Sequence, residues 1–178
     1  MAIPTAKRVR RAEARPEEIL DAALAEFTDR GFEAARVEDI ARRAGISKGG
    51  VYLYFPSKEA LLKALIESKV APIAHQAASL AKSGEADPLT ALRMFARVAA
   101  SLLSNPQLLA VPRLVIGLSG RFPEIADFYR THVVEHARGA IEHLIESAMR
   151  LGQIRRCDVA AVTRAFIGPL FFEAMWTH

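Results

Sequence analysis

One cysteine, Cys157, is the whole thiol complement of this 178-residue chain. An internal disulfide is therefore excluded, and the chain is expected in a reducing cytoplasm. Long apolar runs are missing as well. The stretch 165–172 is interrupted by Gly168 and Pro169 and falls far short of the roughly 20 residues that a membrane helix needs, so no membrane partner is expected. The N-terminus is basic but lacks the apolar segment of a secretion signal. No run alternates apolar with polar residues long enough to make a strand, and no internal repeat is visible. A nucleophile elbow, a phosphate loop and a dinucleotide fingerprint are absent too, which argues against an enzyme and against a bound cofactor. Cys157 stands beside Arg155, Arg156 and Asp158 with no base placed to activate it, and reads as an incidental thiol.

What is present is the balance of a globular protein, 51% hydrophobic and 25% charged, long enough to bury a core as one domain or as a small domain fused to a medium one. The net charge of +4 is modest but unevenly placed. Lys7, Arg8, Arg10, Arg11 and Arg15 precede the first expected helix against one acid, Glu13. Such an arm fits a solvated tail or a nucleic-acid contact equally well.

Turn chemistry divides the rest into helices. Pro16 suits a first helical position, with Glu17 and Glu18 at the positive end of the helix dipole and Ile19, Ala23 and Phe27 on one apolar face. Gly31 ends that helix. A short helix over 37–44 follows, then a turn at Gly45, then a second short helix that Pro56 must stop. Ser57 caps a helix carrying Leu61, Leu62, Leu65, Ile66 and Val70, with Pro72 as a kink or an end. Beyond a linker at 81–87, Pro88, Pro106 and Pro123 each open another helix, Pro112 bends the middle one, and the longest runs to a stop at Gly152. Asp158 caps the last. The expectation is an all-α chain of about eight helices.

The segment 31–59, GFEAARVEDIARRAGISKGGVYLYFPSKE, carries the function. Two short helices joined by a tight glycine turn, with Ile40, Ala41, Ala44, Ile46 and Val51 spaced to pack them together, meet the needs of a helix-turn-helix. Ala41 lets the axes approach, and Gly45 supplies the positive φ of the turn. The second helix then presents Ser47, Lys48, Gly49, Gly50 and Tyr52, and in this motif class its leading end enters the DNA major groove. Being two residues apart, Tyr52 and Tyr54 point in different directions, and either also fits a core-edge residue with a wet hydroxyl.

Phe27, Gly31, Asp39-Ile40-Ala41, Ala44-Gly45-Ile46-Ser47, Gly49, Tyr52, Phe55 and Ser57-Lys58-Glu59 together resemble the DNA-binding signature of the TetR family of transcriptional regulators. That resemblance implies a homodimeric repressor gripping double-stranded operator DNA and released by a small-molecule effector; a DNA-binding architectural protein without ligand control is the alternative. It implies a basic flexible arm at 1–14, a DNA-binding domain at 15–56, a connecting helix at 57–82, and a ligand-binding and dimerisation domain at 83–178. Lys48, Gly49, Gly50 and Tyr52 are assigned to base edges or nearby phosphates, and Tyr54 and Lys58 to phosphate oxygens. Arg36 stands where a hydroxyl residue usually caps the second helix, which costs about 1 kcal/mol locally, and is expected to reach a phosphate instead. Gly50 replaces a larger polar residue, so base reading leans on Lys48 and Tyr52, supplemented by DNA shape.

Candidates for the effector site are Phe95, Val98 and Leu102 in one helix, Arg113 in the next, and Phe128, Tyr129 and His132 in the long one, with core packing as the plainer account of most. Arg113 and Arg121, set among Leu, Val and Ile, call for a carboxylate from Glu124, Asp127 or an acidic ligand. His132 and His136 are one turn apart, but no second pair of ligands accompanies them, so no metal is expected. Phe171, Phe172, Met175 and Trp176 suit a dimer interface, where the resemblance implies one helix more than the sequence carries.

Overall fold

Ser57 and Asp158 cap helices as expected, and Asp87, read only as the end of a linker, caps another. In the computed structural model, which describes the backbone of residues 6–84, 87–103 and 106–176 and the side chains of 16–84, 87–100, 109–169, 172 and 176, Ser57 accepts the Ala60 N–H at 3.2 Å, Asp87 the Thr90 N–H at 3.2 Å and Asp158 the Ala161 N–H at 3.0 Å. The helices are α1 (Ala6–Arg30), α2 (Val37–Arg43), α3 (Lys48–Tyr52), α4 (Lys58–Leu65), α5 (Ala71–Ser83), α6 (Pro88–Leu103), α7 (Pro106–Leu118), α8 (Pro123–Tyr129), α9 (Glu135–Arg150) and α10 (Val159–Trp176). No strand occurs among the described residues. Proline is the first residue of α6, α7 and α8, as expected.

The chain divides into two compact units, Met1–Leu65 and Ile66–His178, with the boundary inside the expected connecting helix. In the first, Ile19, Phe27, Ile40, Val51, Leu61 and Leu62 are fully buried between α1, α2, α3 and α4, and the Phe27 and Phe32 rings lie 5.1 Å apart. A buried carboxylate ties this core together. Glu26, 2% exposed, pairs with Arg30 at 2.9 Å and Arg43 at 3.4 Å, so α1 and α2 share one ion-pair network extended by Asp29 and Asp39. Removing either arginine leaves a desolvated charge less well compensated.

In the second unit α5 packs along α9, with α6, α7 and α10 around them. Ala81, Ala140 and Leu144 form its central contact, flanked by Leu92 and Phe95. Two π-helical turns interrupt otherwise continuous helix, at Ile66–Val70 between α4 and α5 and at Arg130–Val134 between α8 and α9. Pro72 accounts for the first: it has no N–H for the Ser68 carbonyl and its ring crowds that oxygen, so the turn before it widens. The expected helix opening at Pro16 reaches back to Ala6 instead, through Pro16, because residues 6–15 are mostly alanine, arginine, lysine and glutamate, all strong helix formers. Pro112, expected to break or bend its helix, lies within α7 and does not break it.

Candidate DNA-binding face and effector cavity

The turn between α2 and α3 follows from one glycine. Gly45, at φ 68°, lets its own N–H bond the Arg42 carbonyl at 3.2 Å and the Ile46 N–H bond the Ala41 carbonyl at 3.0 Å. This is the paired closure of a Schellman motif, and it turns the chain sharply enough for Ser47 to cap α3. The Ser47 hydroxyl accepts the Gly50 N–H at 3.1 Å. Val51 then faces the core while Lys48, Gly49 and Tyr52 face solvent.

Several expected DNA contacts therefore share one outer surface. Tyr52 is 42% and Tyr54 40% exposed, and Lys48 lies 5.8 Å above the Tyr52 ring. Lys48 is held by Glu38 of α2 at 2.5 Å; that hydrogen bond lowers the Glu38 carboxyl below its usual range and raises the lysine above its own. A β-carbon added at Gly49 or Gly50 would approach no atom closer than 3.4 Å. Packing within the chain does not demand glycine at either position, so the bare backbone leaves room on the outer side. Arg36, in extended conformation at φ −111°, makes no side-chain cap to α2 and is exposed. Leu53, the residue that ends α3, is 84% exposed and was not singled out in the sequence.

Lys58 has partners within the chain that the sequence did not indicate. Its ammonium donates to the carbonyls of Phe32 at 2.8 Å, Glu33 at 2.9 Å and Ala35 at 3.0 Å, and sits 5.0 Å from the Phe32 ring centre. An ammonium has three N–H donors, and all three are used. The residue read as a phosphate contact is a clamp that closes the α1–α2 loop onto α4.

The second unit holds a cavity of about 570 Å³. Its walls come from every helix of that unit: Val70, Ile73 and Ala77 on one side, Phe95 and Val98 on α6, Leu109 on α7, Tyr129 at the end of α8, Val133 in the π turn, Ile141 on α9 and Ile167 on α10. Small side chains make the space, since α5, α6 and α9 contribute Ala74, Ala81, Ala91, Ala99 and Ala137 where larger residues would fill it. Phe95, Val98 and Tyr129 line it, as expected. Arg113, Phe128 and His132 do not: Phe128 and His132 stack on each other, centroids 4.0 Å apart, and His132 Nδ1 donates to the Phe128 carbonyl at 2.8 Å. The Leu102, Phe171 and Met175 side chains lie outside the described residues. The contribution of α5 went unrecognised in the sequence, where its small residues at 74, 77 and 81 were the available signal.

Burial pushes the Tyr129 phenol up to about 12, so it stays neutral. No group of three or more metal-ligating side chains occurs among the described residues, and no helix there is long and apolar enough to cross a membrane.

Comparison with known proteins agrees with this architecture. Residues 19–65 match the family described as bacterial regulatory proteins, tetR family, and residues 85–178 match the tetracyclin repressor-like C-terminal domain. The HTH-type transcriptional regulator RutR of Escherichia coli O157:H7 is 33% identical over 69% of this chain, which spans 62% of that relative's length. A putative TetR-family regulator from Mesorhizobium loti MAFF303099 superimposes with a TM-score of 0.74 at 24% identity, covering 94% of this chain and 86% of the other. The regulator FadR of Bacillus subtilis, solved in complex with stearoyl-CoA, gives 0.71 at 19% identity over 89% of this chain and 84% of its own. With both halves matched and an all-helical fold around a helix-turn-helix, the chain belongs to the TetR family of bacterial regulatory proteins.

Proposed function

We propose that the chain is a ligand-responsive repressor that binds operator DNA as a homodimer through α2 and α3 and is released when a small molecule occupies the cavity of the second unit. The observation that carries this reading is a large apolar cavity in the same chain as a helix-turn-helix whose outer face is exposed. A protein that only bent or packaged DNA would have no use for such a cavity, and an apolar space of this size is typical of a small-molecule site. The complex of the Bacillus subtilis regulator with stearoyl-CoA supports a small-molecule ligand for a fold of this kind.

On the DNA side, Lys48 and Tyr52 read base edges, with Gly49 and Gly50 allowing close approach of the backbone, while Arg36, Ser47 and Tyr54 meet phosphates. Lys58 acts indirectly by holding the α1–α2 loop. Exposed Phe172 and Trp176 on α10 support a dimer, because aromatic side chains are enriched in such interfaces.

The test is gel shift and fluorescence anisotropy on the DNA upstream of the chain's own gene, with and without a panel of apolar compounds. Specific binding, lost at least tenfold with one compound and restored in Val98→Trp, is the expected result. A specific complex that no compound dissociates would favour the architectural reading. Failure to bind any DNA would remove the regulator reading altogether.

A further inference from the structure

We infer that the cavity selects a neutral, largely apolar molecule bearing one hydrogen-bonding oxygen, and discriminates against carboxylates and other anions. The inference rests on the effector reading and names the class of ligand. It overturns the acidic option that Arg113 suggested in the sequence, because Arg113 is not part of the cavity wall.

Cations decide the matter. A carboxylate drawn out of water needs a positive partner or several N–H donors, since an unpaired buried charge is strongly disfavoured. No lysine, arginine or histidine lines the cavity among the described residues. Of the second unit's residues whose side chains the structure does not describe, at 85–86, 101–108, 170–171, 173–175 and 177–178, the sequence makes only His178 basic, and none is lysine or arginine. The charged side chain that does line it is Asp87, which has the wrong sign. Its carboxyl is held below the ordinary range by hydrogen bonds from Thr90, with a smaller contribution from the positive charge of Arg93, which keeps it ionised. An anionic head group placed at that end would meet repulsion.

Gln76, Ser83 and Thr90 also line the cavity but are exposed, and the polar residue half-buried in its wall is Tyr129. It lies in the wall beside Val133, in a setting apolar enough to keep the phenol protonated, and it forms no hydrogen bond to another of the described residues. A phenol both donates and accepts one strong hydrogen bond, which matches an alcohol, ketone or ester oxygen. An apolar body then packs against Ile73, Phe95, Val133 and Ile141, while the half-exposed Leu80, Met94 and Val98 mark the open side.

A matched pair of probes tests this. Isothermal titration calorimetry of the full chain at about pH 7.5 with 1-decanol and with decanoate compares the same ten-carbon tail with and without charge. The expected result is decanol binding at least tenfold tighter. Tyr129→Phe should weaken decanol by roughly three- to tenfold, the scale of one neutral hydrogen bond, and leave decanoate unchanged. Val98→Lys, at a position 42% exposed where the ammonium can reach water or the cavity mouth, should strengthen decanoate selectively. Decanoate equal to or tighter than decanol in the wild-type chain would overturn the inference, as would no binding of either probe. These titrations involve no DNA, so their outcome is separate from that of the effector reading. A decanol that binds tightly yet leaves the operator complex intact would sink the effector reading and spare the ligand class.

Discussion

Lys58 holds the loop beside the DNA-binding helix, and we propose that it acts on DNA through that loop. Three carbonyls converge on its ammonium at 2.8–3.0 Å, and these oxygens belong to the loop that sets where α2 begins. Charge-assisted hydrogen bonds are the stronger kind, so Lys58→Ala should lower the stability of the chain by about 2 kcal/mol in urea unfolding. Arginine should not rescue it, because a planar guanidinium cannot direct three donors at one tripod of oxygens. The salt dependence of DNA binding should keep its slope in Lys58→Ala. A slope reduced by about one per subunit with unchanged stability would return Lys58 to the phosphate contacts. Glu38 makes the converse case. It holds Lys48 in an exposed pair that must open before Lys48 can reach DNA, and its own charge opposes the phosphates. Glu38→Gln is therefore expected to tighten DNA binding by about two- to fivefold, since exposed pairs are weak. The sign of its pH dependence follows from a carboxyl held below its usual range: the pair persists above that range and is lost only as pH falls through the lowered value. The ratio of variant to wild-type affinity should accordingly be flat across neutral pH, as anisotropy titrations at several pH values would reveal.

At the scale of elements, the joint between α5 and α6 is the tightest glycine position among the described residues. A β-carbon on Gly84 would lie 2.5 Å from that of Ala91 and 3.2 Å from the Leu80 carbonyl oxygen. Gly84→Ala must push α6 away from the end of α5, at a cost of about 1–3 kcal/mol, or roughly 2–4 °C in Tm per kcal/mol for a chain of this size. Thermal unfolding followed by circular dichroism would measure it, and an unchanged Tm would mean that the joint yields freely. Helix ends of this kind were largely legible in the sequence, because Ser57, Asp158 and the glycines at 45 and 152 act through local hydrogen bonds that need no tertiary context. The face each helix turns to the cavity was less so. Tyr129 lines it, whereas Phe128, its neighbour, points elsewhere and stacks on His132 one turn on; one residue is about 100° of rotation, and an apolar stripe read from periodicity is wider than that. Nor could periodicity reveal the π turn at Arg130–Val134, which adds a residue to the repeat and brings Val133 and Val134 together to the cavity wall. The loop contacts of Lys58 were hidden for a different reason: the carbonyls it serves are about 25 residues earlier in the chain.

For the whole molecule, the proposed function requires that ligand and DNA oppose each other across the boundary between the two units. That boundary falls at Leu65 and Ile66, where α4 passes into the first π turn, and Val70 at the end of that turn belongs to the cavity wall. The same stretch of chain thus leads from Lys58 to the cavity wall, and on the proposed function a ligand that shifted Val70 would act along that stretch. Two recognition helices of a dimer must enter successive major grooves about 34–36 Å apart, so a small reorientation of each suffices to spoil both contacts. Linkage then fixes the arithmetic. A ligand that weakens operator binding tenfold, or about 1.4 kcal/mol, must itself bind tenfold more weakly to the operator complex than to the free protein. We therefore expect the releasing compound from the panel to give the same factor in two independent measurements: operator affinity by anisotropy with and without saturating compound, and compound affinity by calorimetry with and without saturating operator. Val98→Trp should bring both factors toward one together, because it narrows the cavity at a half-exposed position without touching the DNA-binding face. If it abolished compound binding in the free protein while the compound still released DNA, the release would have to arise at another site, and the route through Val70 would be wrong.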